Sequence, residues 1–127
     1  MIEVCDEILN VNDSQTKYFA SFVIYNHIRK NIKTIQKNCE VFQKYKEMML
    51  NKIIRKIPLE SNLDEKILLN ICSGISVLLI YGIKEQWISG IKYIINMSNV
   101  NQTNLLYSLM IFGSIAHEFE SMDTTEF

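Results

Sequence analysis

The sequence predicts an all-α protein in which helices recur as pairs. No stretch alternates apolar and polar residues over the length of a β-strand, and the 127 residues include a single proline. A pattern of two helices also repeats after about 40 residues, because Gly74 and Gly113 are 39 residues apart and Tyr45 and Trp87 are 42 apart. Such a period is typical of HEAT-type repeats, so we expect a HEAT-repeat α-solenoid of stacked antiparallel helix pairs. A globular bundle of four to six helices is the alternative fold.

The first two helices are short and long, respectively. Apolar spacing predicts a short helix over residues 2–9 and a second helix from residue 14 to about residue 30. Asn12 and Asp13 precede the second helix, and such side chains accept hydrogen bonds from the free amides of a first helical turn. We therefore place the start of the second helix at Ser14.

Residues 39–57 are predicted to form one amphipathic helix. Its apolar side comprises Val41, Phe42, Tyr45, Met48, Met49, Ile53 and Ile57. Its polar side comprises Lys44, Glu47, Asn51 and Arg55. Between Arg29 and Lys56, nine Lys or Arg residues accompany two Glu, and such a run could contact nucleic acid or an acidic partner. The solvated side of this helix explains the run better, so no direct nucleic-acid partner is predicted.

Seventeen residues without a charge lie between Lys66 and Lys84, and they raise the question of a membrane span. Seventeen helical residues cover only about 25 Å, whereas a span needs about 20 apolar residues, so we expect a helix buried in protein and no membrane insertion. Pro58 ends the preceding helix, and Ser61 with Asp64 forms a candidate capping box. The helix is predicted to end at residue 81, with Gly82 as a left-handed cap.

The remaining residues are predicted to form another helix pair. A shorter amphipathic helix covers residues 85–97, a turn covers residues 98–101, and a last helix runs from 102 to about 119. Gly74 and Gly113 lie in the middle of predicted helices, where glycine costs about 1 kcal/mol relative to alanine. We expect both glycines to let a neighbouring helix approach closely.

The side chains that carry catalysis or bind metals are sparse. Cys5, Cys39 and Cys72 are odd in number and widely spaced, so they predict neither a disulfide framework nor a zinc site. His117 is followed by Glu118 but lacks the second histidine of a zinc-protease helix, and no glycine-rich phosphate loop is present. We expect a non-enzymatic protein without a cofactor or metal. The acidic start of the chain does not resemble a secretory signal, which favours an intracellular location.

Several stretches resemble one protein family. They are IEVCDEIL at residues 2–9, QTKYFAS at 15–21, KYKEMML at 44–50, LLNICSGISVLL at 68–79, EQWISGIKYI at 85–94 and NLLYSLMIFGSIAHEFES at 104–121. The family is that of the importin-β (karyopherin-β) nuclear transport receptors, in particular the transportin-SR/importin-13-like branch. The likeness covers nearly the whole chain, with few strict motifs. It implies the end of a first repeat at 1–30, a second repeat at 39–82, a third at 85–120 and a tail at 121–127.

The resemblance implies a binding function in the cytoplasm and nucleus. Such receptors shuttle through nuclear pores and bind the GTP form of the GTPase Ran with the second helices of their amino-terminal repeats. By helix position, the expected Ran contacts are Lys17, Arg29, Asn70, Ser73, Asn104 and His117. The outer helices at 39–57 and 85–97 resemble the face on which nucleoporin phenylalanine-glycine repeats dock. Protein cargo, such as serine/arginine-rich proteins in this branch, is a further expected partner.

The length departs from the family, whose members have about twenty repeats. We therefore interpret the chain as an amino-terminal segment and expect an exposed apolar face on its last helix pair. The alternative function is that of a compact Bcl-2-like regulator, which binds a partner helix in a groove. A solenoid segment is expected to keep contacts between successive helices, whereas a Bcl-2-like bundle brings its first and last helices against one central helix.

Overall fold

A computed structural model describes residues 2–11 and 13–121 of the chain. Within these residues the structure is helical and contains no β-strand, which confirms the all-α class. The elements are α1 (Ile2–Ile8), α2 (Ser14–Lys37), α3 (Cys39–Glu47), a π-helical segment (Met48–Ile53), a 3-10 turn (Ile54–Lys56), α4 (Asn62–Gly82), α5 (Gly90–Met97) and α6 (Gln102–Ser121). The predicted tail was 121–127, but Ser121 still belongs to α6. Residues 122–127 and the predicted cap residue Asn12 lie outside the described residues.

The helices form two rows. The long-helix row consists of α2, α4 and α6, with α4 in the middle and in contact with both of the others. The short-helix row consists of α1, of α3 with its π and 3-10 continuation, and of α5. In this row α1 packs on α2, α3 with its continuation packs on α2 and α4, and α5 packs on α6 and α4. Neighbours within the short-helix row are linked by side chains, because Lys44 of α3 forms an ion pair with Glu3 of α1.

The most extensive contacts join helices two apart in the chain, α2 with α4 and α4 with α6. We expected contacts between successive helices, so this part of the prediction is wrong. Asn70 of α4 bonds Ser21 of α2, and further along both helices Gly74 lies beside Ile28, so α2 and α4 run parallel. When antiparallel helix pairs are stacked side by side, the corresponding helices of neighbouring pairs lie next to each other and run in the same direction. Helices two apart in the chain, such as α2 and α4, then make parallel contact.

The apolar stretch that raised the question of a membrane is covered by protein over most of its length, although Leu69 and Ile83 are exposed. Every residue from Ile71 to Ile80 is buried, because α4 is covered by α2, α6 and parts of the short-helix row. Among residues 2–11 and 13–121, no helix is both long and apolar enough to cross a membrane. A helix with neighbours on most of its sides is hydrophobic all round, which accounts for the composition of this stretch.

The starts of α2 and α4 agree with the sequence, whereas the end of α2 differs from it. Asp13 caps α2 by accepting a hydrogen bond from the Gln15 amide at 3.2 Å, and Ser61 and Asp64 form the predicted capping box. However, α2 continues beyond residue 30 to Lys37, where Asn38 takes an extended conformation that ends the helix and caps α3. The continuation follows the buried residues at 28, 32 and 35, which keep a helical spacing.

Residues 39–57 do not form one regular helix. The α-helix ends at Glu47, widens into the π-helical segment and then tightens into the 3-10 turn. Leu50 and Ile54, which follow Met49 and Ile53 directly, are buried as well. The π-helical segment is wound more widely than an α-helix, so two apolar residues adjacent in sequence can lie on the same side. A regular α-helix of 3.6 residues per turn would separate them. The predicted apolar side is therefore correct in outline but too narrow at its end.

The segment around Trp87 is a turn where we expected the start of a helix. Residues 83–89 form turns, and α5 begins at Gly90. Trp87 is buried, and its amide donates to the Gly82 carbonyl. Gly82 still belongs to α4 and has no positive φ, so the prediction of a left-handed cap is wrong. Its small size matters instead, because an added Cβ would lie 2.6 Å from the Phe42 ring.

The two mid-helix glycines differ in their surroundings. At Gly74 an added Cβ would lie 2.9 Å from the Met49 side chain and 3.4 Å from that of Ile28, which fits the expected close approach of a neighbouring element. At Gly113 nothing lies within 4 Å. The expectation of close packing is therefore wrong for Gly113 within the chain, and the two glycines do not occupy equivalent positions.

Candidate partner-binding face

A polar seam crosses the long-helix row. It consists of Ser21, Tyr25 and Arg29 of α2, Asn70 and Ser73 of α4, and Glu118 of α6. The α2 members are four residues apart and therefore lie on one side of that helix. The amide of Asn70 donates to the Ser21 hydroxyl at 3.1 Å, and this hydroxyl donates to the Tyr18 carbonyl at 2.7 Å. These bonds fix the α2–α4 part of the seam.

Glu118 joins α6 to α2 across the seam. The Tyr25 hydroxyl donates to Glu118 Oε1 at 2.6 Å, and the Arg29 guanidinium donates to the Tyr25 hydroxyl at 3.2 Å and to the Ser121 carbonyl at 3.4 Å. The Glu118 side chain is 1% exposed, whereas that of Arg29 is 41% exposed. The first and third long helices therefore touch at one end of the row, although α4 lies between them elsewhere.

The electrostatics of the seam centre on this carboxyl group. Glu118 Oε2 has no hydrogen-bond partner, and the nearest cationic atom, Arg29 Nε, is 4.0 Å away. Burial, followed by the hydrogen bond to Glu118 and the charge of that residue, raises the pKa of Tyr25 to about 12. Tyr25 therefore stays protonated at neutral pH and acts as a donor. The arrangement can hold two helices together and present Arg29 to an anionic group.

The structure brings some of the six predicted contact residues together. Arg29 and Asn70 belong to the seam through their hydrogen bonds, and Ser73 is buried on the same side of α4, three residues after Asn70. Lys17 is half-buried one turn before Ser21 on α2, on the same side of that helix. These four residues share the face of the long-helix row.

The other two predicted residues lie elsewhere. His117 is exposed on α6 beside Glu118 in sequence, and no bond joins it to the seam. Asn104 is buried, at 4% exposure, and lines a cleft of about 490 Å³ together with residues of the π-helical segment and of α5, such as Asn51 and Tyr93. Its Oδ1 atom has no hydrogen-bond partner. Asn104 therefore faces the short-helix row.

Sequence reasoning missed Tyr25 and Glu118. We considered Glu118 only as part of an incomplete zinc motif. The signal lay in its helical position, because it continues the buried side of α6 formed by Asn104, Tyr107, Ser108, Ile111 and Ser114. A single acidic residue on an otherwise buried side requires a donor from a neighbouring element. That donor could not be identified from the sequence, because Tyr25 lies 93 residues away.

The basic run between Arg29 and Lys56 is engaged with local partners at several positions. Lys44 and Lys56 pair with Glu3 and Asp6 of α1, and Lys46 lies over the Trp87 ring at 5.4 Å from its centre. These three lysines belong to the short-helix row, whereas the basic residues at 29, 30, 33 and 37 belong to α2, so the run is divided between two rows. This division does not favour a continuous nucleic-acid surface.

Known proteins provide no further guide to this face. Comparisons with protein-family models, with curated proteins and with solved structures find no match for the chain. Within residues 2–11 and 13–121, no group of three or more His, Cys, Asp or Glu side chains is placed to hold a metal ion.

Proposed function

We propose that the chain is an amino-terminal segment of an importin-β-like nuclear transport receptor, organised as stacked HEAT-type helix pairs, and that it binds Ran in its GTP form. The observation that supports this proposal most is the packing of α4 against both α2 and α6, with α2 and α4 parallel and the shorter elements in a second row. Repeated helix pairs stacked side by side produce this arrangement. The proposed location is the cytoplasm and nucleus, between which such receptors shuttle.

The proposed Ran-binding surface is the face of the long-helix row that carries the polar seam. Lys17 and Arg29 add positive charge there, and Arg29 is accessible at 41% exposure. Charged groups at the edge of an interface chiefly govern the rate of association and its salt dependence. Asn70 and Ser73 are less accessible, so we expect them to shape the seam more than to provide binding energy.

The short-helix row is proposed to dock phenylalanine-glycine repeats of pore proteins, and protein cargo is proposed to bind elsewhere on the receptor. The cleft between the π-helical segment and α5 supports the first part, because it separates two neighbouring elements of this row and contains apolar side chains such as Leu50, Met97 and Val100. Phenylalanine rings bind in apolar clefts of this kind.

The Bcl-2-like alternative gains support from the burial of α4 in the centre of the structure, from the packing of the last helix, α6, on it, and from the extensive contacts between helices that do not follow one another in the chain. It is disfavoured by the position of α1, which packs mainly on α2, whereas such a bundle would bring the first helix against the central one. The two-row arrangement and the position of α1 support the stacked helix pairs as the first proposal, and the bundle is kept as the second.

The proposal is tested by titrating the 127-residue chain with Ran loaded with a non-hydrolysable GTP analogue or with GDP, by calorimetry at two salt concentrations. We expect binding of the GTP form to be at least about tenfold tighter, which corresponds to about 1.4 kcal/mol. Lys17→Glu should weaken binding of the GTP form about tenfold. Lys92→Glu is the matched control, because Lys92 is exposed on α5 in the other row, and it should change affinity less than about twofold.

Equal affinity for both nucleotide forms would contradict the proposal. So would the absence of binding while circular dichroism shows a folded chain. If Lys92→Glu weakened binding as much as Lys17→Glu, the result would contradict the placement of the binding surface on the long-helix row.

A further inference from the structure

The cleft between the π-helical segment and α5 is lined by a buried amide group whose oxygen has no partner. This group belongs to Asn104 of α6, which is 4% exposed. Its main-chain amide donates to Asn101 Oδ1 at 2.8 Å, and its carbonyl accepts from the Ser108 hydroxyl at 3.0 Å. Its side-chain Oδ1 atom, in contrast, has no hydrogen-bond partner. A buried polar atom left without a partner is costly and uncommon, so Asn104 requires a donor from outside the described chain.

The cleft has room for a ligand that supplies this donor. Its volume of about 490 Å³ lies within the range of about 300–1,000 Å³ that small-ligand sites occupy. A bridging water would take only about 30 Å³ of this space. The last torsion of an asparagine side chain is soft, so a modest rotation of the Asn104 carboxamide can turn its oxygen toward a molecule in the cleft.

The charge of the cleft favours an anionic ligand. Of the described residues that line it, Arg55 alone carries a charge. Arg55 is exposed, and within residues 2–11 and 13–121 no carboxylate forms an ion pair with it. The first turn of α6, to which Asn104 belongs, contains no acidic residue, so the positive end of this helix dipole is not neutralised there. A carboxylate would therefore be attracted to this cleft, and the planar guanidinium of Arg55 can bind it through two parallel hydrogen bonds.

Apolar side chains supply the remaining contact surface. They are Leu50 of the π-helical segment, Met97 of α5 and Val100 of the following turn. Val100 is 68% exposed, so its side chain is available to a ligand. Burial of an apolar ligand group against these side chains is favourable, because apolar surface is removed from water. The π-helical winding of one wall fits this role, since such segments are frequent at functional sites.

We propose that this cleft binds a peptide segment in which an apolar residue stands next to an acidic one. A peptide N–H donates to Asn104 Oδ1, and the acidic side chain accepts from Arg55. The apolar side chain packs against Leu50, Met97 and Val100. The inference rests on the proposed function in one respect, namely that a phenylalanine-containing peptide docks in this cleft, and it adds that the preferred peptide is acidic. A peptide fits because it combines an N–H donor, a carboxylate and an apolar group within two adjacent residues.

The test is an NMR titration of the full chain with two peptides, both acetylated and amidated, of sequence Asp-Phe-Gly and Asn-Phe-Gly. We expect the acidic peptide to bind about threefold more tightly, because an ion pair with the exposed Arg55 is worth only a modest amount. The side-chain amide signals of Asn104 should shift in both titrations. Arg55→Gln should abolish the difference between the peptides. Lys52→Gln is the matched control, because Lys52 is exposed on the π-helical segment but lines a different cavity, and it should preserve the difference.

Asn104→Leu separates a ligand-binding amide from a structural one. It removes the oxygen that has no partner, so the melting temperature should rise by about 4 °C while both peptides bind about tenfold more weakly. A structural amide would give the opposite result, a lower melting temperature with unchanged binding. Methylating the phenylalanine nitrogen or the glycine nitrogen of the acidic peptide removes one N–H at a time, and one of the two methylated peptides should bind at least fivefold more weakly.

The possible outcomes separate this inference from the proposed function. Equal binding of the acidic and neutral peptides would overturn the inference and leave peptide docking in place. The absence of binding by either peptide would overturn it as well, whereas the titration with Ran still tests the receptor function. Preferred binding of the acidic peptide, together with equal affinity for both nucleotide forms of Ran, would uphold the inference and contradict the proposed function.

Discussion

Replacing Tyr25 by phenylalanine tests whether the seam holds the first and third long helices together. The substitution keeps the aromatic ring, which packs against the core, and removes only the hydroxyl that donates to Glu118 Oε1 at 2.6 Å. Glu118 then remains buried at 1% exposure with no donor other than the distant Arg29, whose Nε is 4.0 Å from Oε2. The expected effect is a marked loss of stability.

The magnitude follows from the chemistry of this contact. A hydrogen bond to a charged group contributes about 1.5–3 kcal/mol, and a buried acceptor left without a donor carries its full desolvation penalty. The half-exposed Arg29 offsets less than about 1 kcal/mol of this loss. We therefore expect Tyr25→Phe to lower the free energy of unfolding by about 2 kcal/mol. For a chain of this length, with an unfolding entropy of about 2.1 cal/mol/K per residue, this corresponds to a fall in Tm of about 7 °C.

Urea titration and thermal melting followed by circular dichroism measure this effect. Tyr93→Phe is the matched control, because Tyr93 is 44% exposed on α5, and its loss should stay below about 0.5 kcal/mol. Glu118→Gln should cost less than Tyr25→Phe, because the amide oxygen still accepts from Tyr25 and no charge remains buried. A change below about 0.5 kcal/mol for Tyr25→Phe would refute the reasoning, as would equal losses for Tyr25→Phe and Tyr93→Phe.

Three further predictions concern thiols, pH and a helix cap. Of the three free thiols, only Cys39 is exposed, and burial raises the pKa of Cys5 and raises that of Cys72 to about 12, so Ellman's reagent should modify one thiol quickly and two slowly. Burial holds the pKa of His27 below its ordinary value of 6.5, so protonation favours the unfolded chain and stability in urea should fall as the pH drops below 6.5. Ser61→Ala should cost about 1 kcal/mol, because it removes the acceptor for the Asp64 amide.

Each of these predictions has its own control. Cys39→Ser should abolish the fast phase of thiol modification, and a fast phase that persists would contradict the assigned burial. His27→Gln should reduce the pH dependence, whereas His117→Gln, at an exposed site on α6, should leave it unchanged. Ser61→Asp should retain most of the stability lost in Ser61→Ala, because aspartate is also a good cap.

Sequence patterns predicted the helices well where local physics decides them. The capping box at Ser61 and the start of α6 at Gln102 follow from side chains within one turn of each boundary, and both agree with the structure. The predicted start of α5 is wrong because residues 83–89 form turns around the buried Trp87. Trp87 lies beside two glycines, of which Gly82 also contacts Phe42 and Gly90 also contacts Leu79. Such contacts cannot be read from helical spacing.

The candidate face could be predicted only in part. Helix position correctly placed Arg29 and Asn70 on the long-helix row, because the period of α2 and α4 determines their sides. Asn104 was misplaced relative to that face, since the direction in which α6 turns its polar residues depends on how it packs on α4 and α5. The pairing of Tyr25 with Glu118 depends on tertiary structure alone.

The bond between Tyr25 and Glu118 closes a loop of 93 residues, which ties the beginning of the chain to its end. In arrays where every repeat contacts only its neighbours, each unit can open almost independently, and the whole unfolds gradually. Here the first and third long helices restrain each other, so melting should proceed as a single cooperative transition. The same long-range closure must form late in folding, because its entropic cost is recovered only after the intervening helices have assembled.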